Sequence, residues 1–293
     1  MSTGGTSVTR MRHPRRRSTP ATSTGRLAIS LITGLFLGLS VAPALANCNE
    51  EPRPGISWYG CDFTGADLRD VDLSGALLSR LDADGADLRN ATLERAVLTE
   101  ASLREADFRG ATMRRADFGA ADLSGARLSD TRLQDARFTS AMLEGVDFSG
   151  SDVRGGRFDG ARMQDTVLDG ARFNDARFYN AVLRNISAID TDFSGSNFSQ
   201  ANLSGANLEG ATLRDADLGR ARLEDVNFRG ADLRGANLDR ASLAGADLTD
   251  TDLRRANLRD ADLTGTVLDG AKLGNATWVD GRHCRPRSIE SCD

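Results

Sequence analysis

The sequence predicts an all-β fold, a solenoid of short extended segments wound at constant pitch, on three observations. Residues 61–280 divide into 44 consecutive five-residue blocks without one insertion or deletion. Each block holds two apolar positions one residue apart, the first small and the third large. Phe at the third position recurs at a spacing of twenty residues.

The first 46 residues stand apart and are excluded from the fold as a targeting segment. They hold six Arg and no acidic residue. An Arg-rich stretch ends at Arg26, an apolar run follows over 27–41, and Ala44-Leu45-Ala46 supplies small residues for a signal peptidase. The expectation is a general secretion signal cleaved after Ala46, with Met1 or Met11 as the start. The apolar run is short for a membrane span, which needs roughly 20 residues. Asn47 separates Cys48 from the small residues, unlike a lipoprotein signal, and Arg15-Arg16-Arg17 lacks the hydrophobic residues that follow a twin-arginine pair. Formal net charge is −5 from 37 basic and 42 acidic residues. Without the six N-terminal Arg, 31 basic residues face 42 acidic ones, a net charge of −11. Such a surface opposes non-specific binding to nucleic acid or anionic membrane.

Within the repeat, the third residue is Leu in 27 blocks and Phe in 11, and the first is Ala in 30. Typical blocks are Ala66-Asp67-Leu68-Arg69-Asp70 and Ala231-Asp232-Leu233-Arg234-Gly235. A period of five matches neither a helix nor a long strand, but it suits a short extended segment followed by a corner. Residues two apart in an extended segment share a face, so the first and third point inward and the second outward. The fourth and fifth turn the chain, where Gly tolerates positive φ. Ala83 and Ala188 are the only small third residues, and the large Leu81 and Ile186 stand two places before them, conserving interior volume.

The Phe residues set the coil period. Phe118, Phe138, Phe158, Phe178 and Phe198 form one series, and Phe173 and Phe193 add a pair. That makes five pairs at a lag of 20, against two each at lags of 5, 15 and 25. Four blocks therefore make one coil, and rings in adjacent coils fall about 4.8 Å apart, within stacking range.

These blocks resemble the pentapeptide-repeat family, whose motif is A-(D/N)-L-x-x, across residues 61–280. The resemblance implies a right-handed parallel β-helix of square, quadrilateral cross-section. Forty-four blocks at four per coil give 11 coils, a rod roughly 50 Å long at about 4.8 Å per coil. Residues 47–60 and 281–293 then form an N-terminal and a C-terminal cap, and the end segments 54–61 and 278–284 look like flanks found in some exported members.

Solenoid ends need capping, and all four cysteines lie at the ends: Cys48, Cys61, Cys284 and Cys292. In an oxidising compartment, two short spacings favour the disulfides Cys48–Cys61 and Cys284–Cys292. Metal binding is the alternative, although each end offers two Cys, with His283 added at the C-terminus. Cys61 also suits a small inward first position. His283, the only His after residue 46, has no identifiable catalytic partner. Asp67, Asp87 and Asp107 at second positions are expected to bond the adjacent turn backbone. No catalytic residue, cofactor site or metal site is expected. The glycines follow the five-residue period instead of forming a phosphate loop, and calcium-binding β-rolls run on nine residues.

One surface feature remains. Arg137, Arg157 and Arg177 share the second position of one column beside the Phe series and form a candidate partner-binding stripe. The competing reading has Asp135, Asp159 and Asp175 neutralise them locally. Arg132, Asp152, Arg172 and Asp192 alternate in sign up the neighbouring column, a structural pattern. The function expected is a non-enzymatic exported scaffold, periplasmic or extracellular, acting on an unknown protein partner. Neither nucleic-acid binding nor stable membrane insertion is expected, and the oligomeric state stays open. The alternative is a DNA mimic that shields a topoisomerase, as implied by the quinolone-resistance members of the family.

Overall fold

The computed structural model describes residues 47–292, so the expected signal, residues 1–46, lies outside the described residues. Backbone hydrogen bonding explains why five residues suffice for a block. In the block 156–160, the amide of Arg157 donates to Ala136 O (2.9 Å), and that of Phe158 to Arg177 O (2.6 Å). The amide of Gly160 donates to Tyr179 O (2.9 Å), and Ala161 N closes the corner on Phe158 O (2.9 Å). Every second-position residue from Ser57 to Asn257 is bridged in parallel to the residue twenty places on, ending at Thr277. The twenty-residue register read from the Phe spacing is thus the register of the backbone ladder.

The fourth N–H of each block has no partner in this ladder. Where the second residue is Asp or Asn, its side chain supplies one: Ser149 N donates to Asp147 Oδ1 (2.9 Å) and Ser199 N to Asn197 Oδ1 (2.9 Å). These are Asx turns, and the second-position preference for Asp and Asn follows from them. An Asp at the fourth position one coil earlier substitutes, as Asp169 does for Ile189 N (2.9 Å).

First and third residues point inward and are buried along the rod, including Leu81 beside Ala83 and Ile186 beside Ala188. Six first positions carry a buried hydroxyl instead of an apolar group. Each one satisfies itself on backbone, as Ser196 Oγ does on Phe173 O (2.6 Å) and Thr191 Oγ1 on Leu168 O (2.8 Å), which removes the penalty of burying it. The rings of Phe118, Phe138, Phe158, Phe178 and Phe198 stack at 4.9, 4.9, 5.0 and 4.5 Å. Phe173 and Phe193 stack at 5.4 Å.

The ladder begins five residues before the expected cap boundary. Residues 56–60 already form a block, with Ile56 and Trp58 buried and Ser57 bridged to Leu77. Trp58 packs on Phe63 with ring centroids 4.3 Å apart. Both ends carry the cysteine pairs: Cys48 is bonded to Cys61, Cα atoms 5.6 Å apart, and Cys284 to Cys292 at 4.7 Å. Cys61 is also a buried first-position residue, so its two readings coincide. The C-terminal tail reverses and pairs antiparallel, His283 with Thr277 and Ile289 with Lys272. Among the described residues no helix is long and apolar enough to cross a membrane.

The corner has one strict demand. Every fifth residue from Gly55 to Asn275 has φ between 54° and 72°, and 25 of these 45 residues are not Gly. Asp and Asn accept this region more readily than other side chains. They also interlock with Gly. A Cβ on Gly195 would sit 2.5 Å from Asp175 Oδ1, one coil below, whereas one on Gly170 meets nothing within 4 Å. We expect Gly195→Ala to cost more than Gly170→Ala, with both losing about 1–2 kcal/mol to the left-handed backbone. The excess, ~0.5–1 kcal/mol, should vanish in an Asp175→Ala background. Denaturant midpoints of the four variants measure it, and equal losses at both glycines would show that the corner side chains do not interlock.

Candidate interaction surface

The second and fourth residues of each block face outward, so any surface site is written in columns with a twenty-residue spacing. In one column the aspartates Asp67, Asp87 and Asp107 stack on adjacent coils, joined by parallel bridges. Like charges so placed repel, and arginines two residues on resolve it. Arg69, Arg89 and Arg109 each grip the Asp of their own block, with Nε and Nη2 hydrogen bonds between 2.6 and 2.9 Å. Arg69 also reaches Asp87 at 3.5 Å, and Arg89 reaches Asp107 at 3.9 Å. The hydrogen bonds from Arg69 hold the Asp67 carboxyl at about 2.

A second network has the same design near the C-terminal end. Asp232 accepts from Arg234 (2.7 Å) and from Arg214 (2.5 Å), and Asp252 from Arg254 (2.5 Å). Burial pushes the Asp232 carboxyl up, but the hydrogen bonds from Arg234 and Arg214 outweigh it and hold the group well below the usual carboxylate range. Arg214, Arg234, Arg254 and Arg255 line a surface groove of about 410 Å³.

The Arg137, Arg157 and Arg177 backbones are bridged in succession, as expected. Their neutralisation differs from expectation. Asp159 does pair with Arg177 (3.3 Å), but Arg137 pairs with Asp117 (3.7 Å). Asp135 instead reaches Arg115 (3.5 Å), and Asp175 lies over Gly195. Both are fifth-position residues, whose left-handed corner directs the side chain along its own corner and not toward the neighbouring second position. Arg157 has no ion-pair partner among the described residues. In the neighbouring column the alternating charges do not pair directly either. Asp152 is taken by Arg154 (2.7 Å) and Asp192 by Ser194 (2.6 Å), both in their own blocks.

The stripe is therefore not the only clustered basic feature. The triplets Arg69/Arg89/Arg109 and Arg214/Arg234/Arg254 stack in the same way, at the fourth position. A search for Arg at twenty-residue spacing finds them in the sequence, but the Asp contacts that hold them become visible only in three dimensions. His283, at the exposed C-terminal end, meets Thr277 Oγ1 at 3.3 Å. Among the described residues no cluster of His, Cys, Asp or Glu is placed to hold a metal ion.

Asp67, Asp87, Asp107, Asp232 and Asp252 all have carboxyls lowered in the folded chain. Groups lowered on folding stabilise the fold above their unfolded value, about 3.9, and that contribution fades as pH falls through the folded value. Exposed pairs contribute little singly, so the networks act through their number. The thermal midpoint should stay constant from about pH 8 to pH 5 and drop between about pH 4 and pH 2. A midpoint unchanged down to about pH 2 would remove these networks from the stability of the rod.

A family model described as pentapeptide repeats (8 copies) matches residues 54–80, 84–119, 116–155, 191–230, 221–260 and 241–277. A second, pentapeptide repeats (9 copies), matches residues 138–182. Among solved structures, HetL, a pentapeptide repeat protein involved in heterocyst differentiation regulation from the cyanobacterium Nostoc sp. strain PCC 7120, is 29% identical. That alignment covers 76% of this chain and 92% of HetL, with a TM-score of 0.39. Rfr23 from the cyanobacterium Cyanothece 51142 is 30% identical over 33% of this chain and 63% of its own, TM-score 0.26. QnrB1, a plasmid-mediated fluoroquinolone resistance protein, is 22% identical over 63% of this chain and 90% of its own, TM-score 0.33. No curated protein sequence matches the chain.

Proposed function

Since the chain belongs to the pentapeptide-repeat family, we propose that it is a non-enzymatic interaction rod, exported through residues 1–46 and cleaved after Ala46. In this reading the rod has four sides and about eleven coils, roughly 50 Å in length, with both cysteine pairs oxidised outside the cytosol. Its work is to present columns of outward side chains to a protein partner.

One observation carries the choice of surface. Arg157 lacks an ion-pair partner among the described residues, while the side chains of its column neighbours Arg137 and Arg177 are 53% and 55% exposed. In the two other triplets, Arg69, Arg89, Arg109, Arg234 and Arg254 hold the Asp of their own block with two donors and Arg214 holds Asp232 of the next coil with Nε, and a competing carboxylate would have to displace these. In the stripe Arg137/Arg157/Arg177 the donors of Arg157 are unpaired among the described residues and Arg137 and Arg177 make one ion pair each; bordered by the exposed Tyr179, it suits an acidic protein segment. Arginine donors fit carboxylates geometrically as well as by charge. Three stacked Arg columns also interrupt the anionic surface that a DNA mimic needs.

Retention on an immobilised poly-glutamate peptide tests the stripe. We expect the protein to bind at about 0.02 M salt and to release as ionic strength rises, because exposed charges are screened beyond about 10 Å at 0.1 M. Arg137→Glu/Arg157→Glu/Arg177→Glu should abolish retention with little change in thermal midpoint. Equal retention of wild type and triple variant would exclude the stripe as the docking surface.

A further inference from the structure

The fourth-position Arg columns line two grooves of the same build, and the charges of the two differ. The groove toward the N-terminal end, about 430 Å³, is lined by Arg69, Arg89 and Arg109. Each of these arginines holds the aspartate of its own block. Asp70 and Asp130 line the same groove, so five carboxylates stand against three guanidinium groups. In the groove toward the C-terminal end, about 410 Å³, Arg214, Arg234 and Arg254 take the corresponding places. Here two aspartates answer three arginines, because the block of Arg214 carries Thr212 where the next two carry Asp232 and Asp252. Asp232 is therefore shared between Arg234 and Arg214.

A fourth arginine lines this groove, Arg255 at a fifth position. Elsewhere at that position Arg80, Arg115 and Arg240 each reach an acid one coil on, namely Glu100, Asp135 and Asp260. One coil on from Arg255 stands the neutral Asn275, and one coil below it stands Gly235. Arg255 is exposed and has no ion-pair partner among the described residues. Asp215 also lines the groove. Four guanidinium groups thus stand against Asp215, Asp232 and Asp252, an excess of one positive charge.

The tail walls off the end of the groove and adds to that excess. After Arg254 the fourth-position column continues with Gly274, where a Cβ would run into Pro286 O. Glycine at this place lets the tail cross the column. Pro286 lines the groove, and its neighbours Arg285 and Arg287 are exposed, with no ion pair among the described residues. Residues 281–289 contain no acid to offset them.

We propose that this groove is a binding site for a small phosphate monoester. A phosphoryl group brings a charge of about −1.5 to −2 at neutral pH and three acceptor oxygens. Arg255 meets it with uncommitted donors in a planar fork that matches phosphate, and the Asn275 amide stands beside it as a further donor. The gripped arginines supply positive charge and shape the walls, while their own aspartates hold their donors. The volume falls within the range of small-molecule sites, about 300–1,000 Å³, which leaves room for the esterified alcohol. Apart from Pro286 the lining is polar, and Asp215 can accept from hydroxyl groups, so the alcohol is a polyol or a sugar. The N-terminal groove, with its surplus of carboxylates, repels the same ligand.

Isothermal titration calorimetry of the purified protein with glucose 6-phosphate tests the site. The wild type should bind one equivalent, and unphosphorylated glucose should give no heat. Arg255→Glu should weaken binding at least about tenfold. Glu already occupies this left-handed corner at Glu100 and Glu105, so the variant keeps its fold and its thermal midpoint. Arg220→Glu makes the same change in charge at a fifth position on another corner, and it should leave the affinity within about twofold. A wild type that takes up no ester at millimolar concentration would overturn the proposal. Equal losses in Arg255→Glu and Arg220→Glu would overturn it too, and so would equal binding of glucose and its phosphate.

Discussion

The hydrogen-bonded register between blocks twenty residues apart is the constraint on which the rest of this structure depends. Each block sends amides both up and down the rod, and only its fourth N–H is left over. Asp or Asn at the second position captures that group. An insertion of one residue would turn the inward set outward from that point on and break the ladder along the whole remaining length. The absence of any insertion over 220 residues is the consequence of that penalty.

Once the register exists, side chains are forced into columns, and each column must be compatible with itself about 4.8 Å away. The interior solves this with stacked Phe rings and with hydroxyls that bond the backbone. The surface solves it with Asp–Arg networks, in which a repelling Asp column is bound by the Arg column two residues along. The 137/157/177 column has no such grip: Arg157 has no ion-pair partner among the described residues, and Arg137 and Arg177 each make one ion pair. The same logic applies at the rod ends, where a column has a neighbour on one side only. Function in this fold is therefore a question of which columns are left unsatisfied.

Much of this was legible in the sequence because a strict period leaves few alternatives. The inward first and third positions, the twenty-residue register and the compensation of Ala83 by Leu81 follow from spacing and volume alone. The cap boundary did not, because Ile56-Ser57-Trp58-Tyr59-Gly60 carries Trp in the large position, where the typical block has Leu or Phe. The ion pairs were harder. Asp135 and Arg137 are neighbours in sequence, yet the left-handed corner separates their side chains, and Asp135 meets Arg115 instead. The stacked triplet Arg214, Arg234 and Arg254 was visible as a spacing, but its aspartate partners depend on side-chain direction. The reversal of the tail at residue 281 has no periodic signal.

The most direct test of the register is a distance along the rod. Val97 and Asn257 lie in one column, eight ladder steps apart, and both face outward. Spin labels attached to Cys at these two positions should report a separation near about 38 Å, eight steps of about 4.8 Å, by pulsed dipolar spectroscopy. A three-block coil would stretch the same 160 residues to about 51 Å, and a five-block coil would shorten them to about 31 Å. Either distance would contradict the twenty-residue register and the columns built on it.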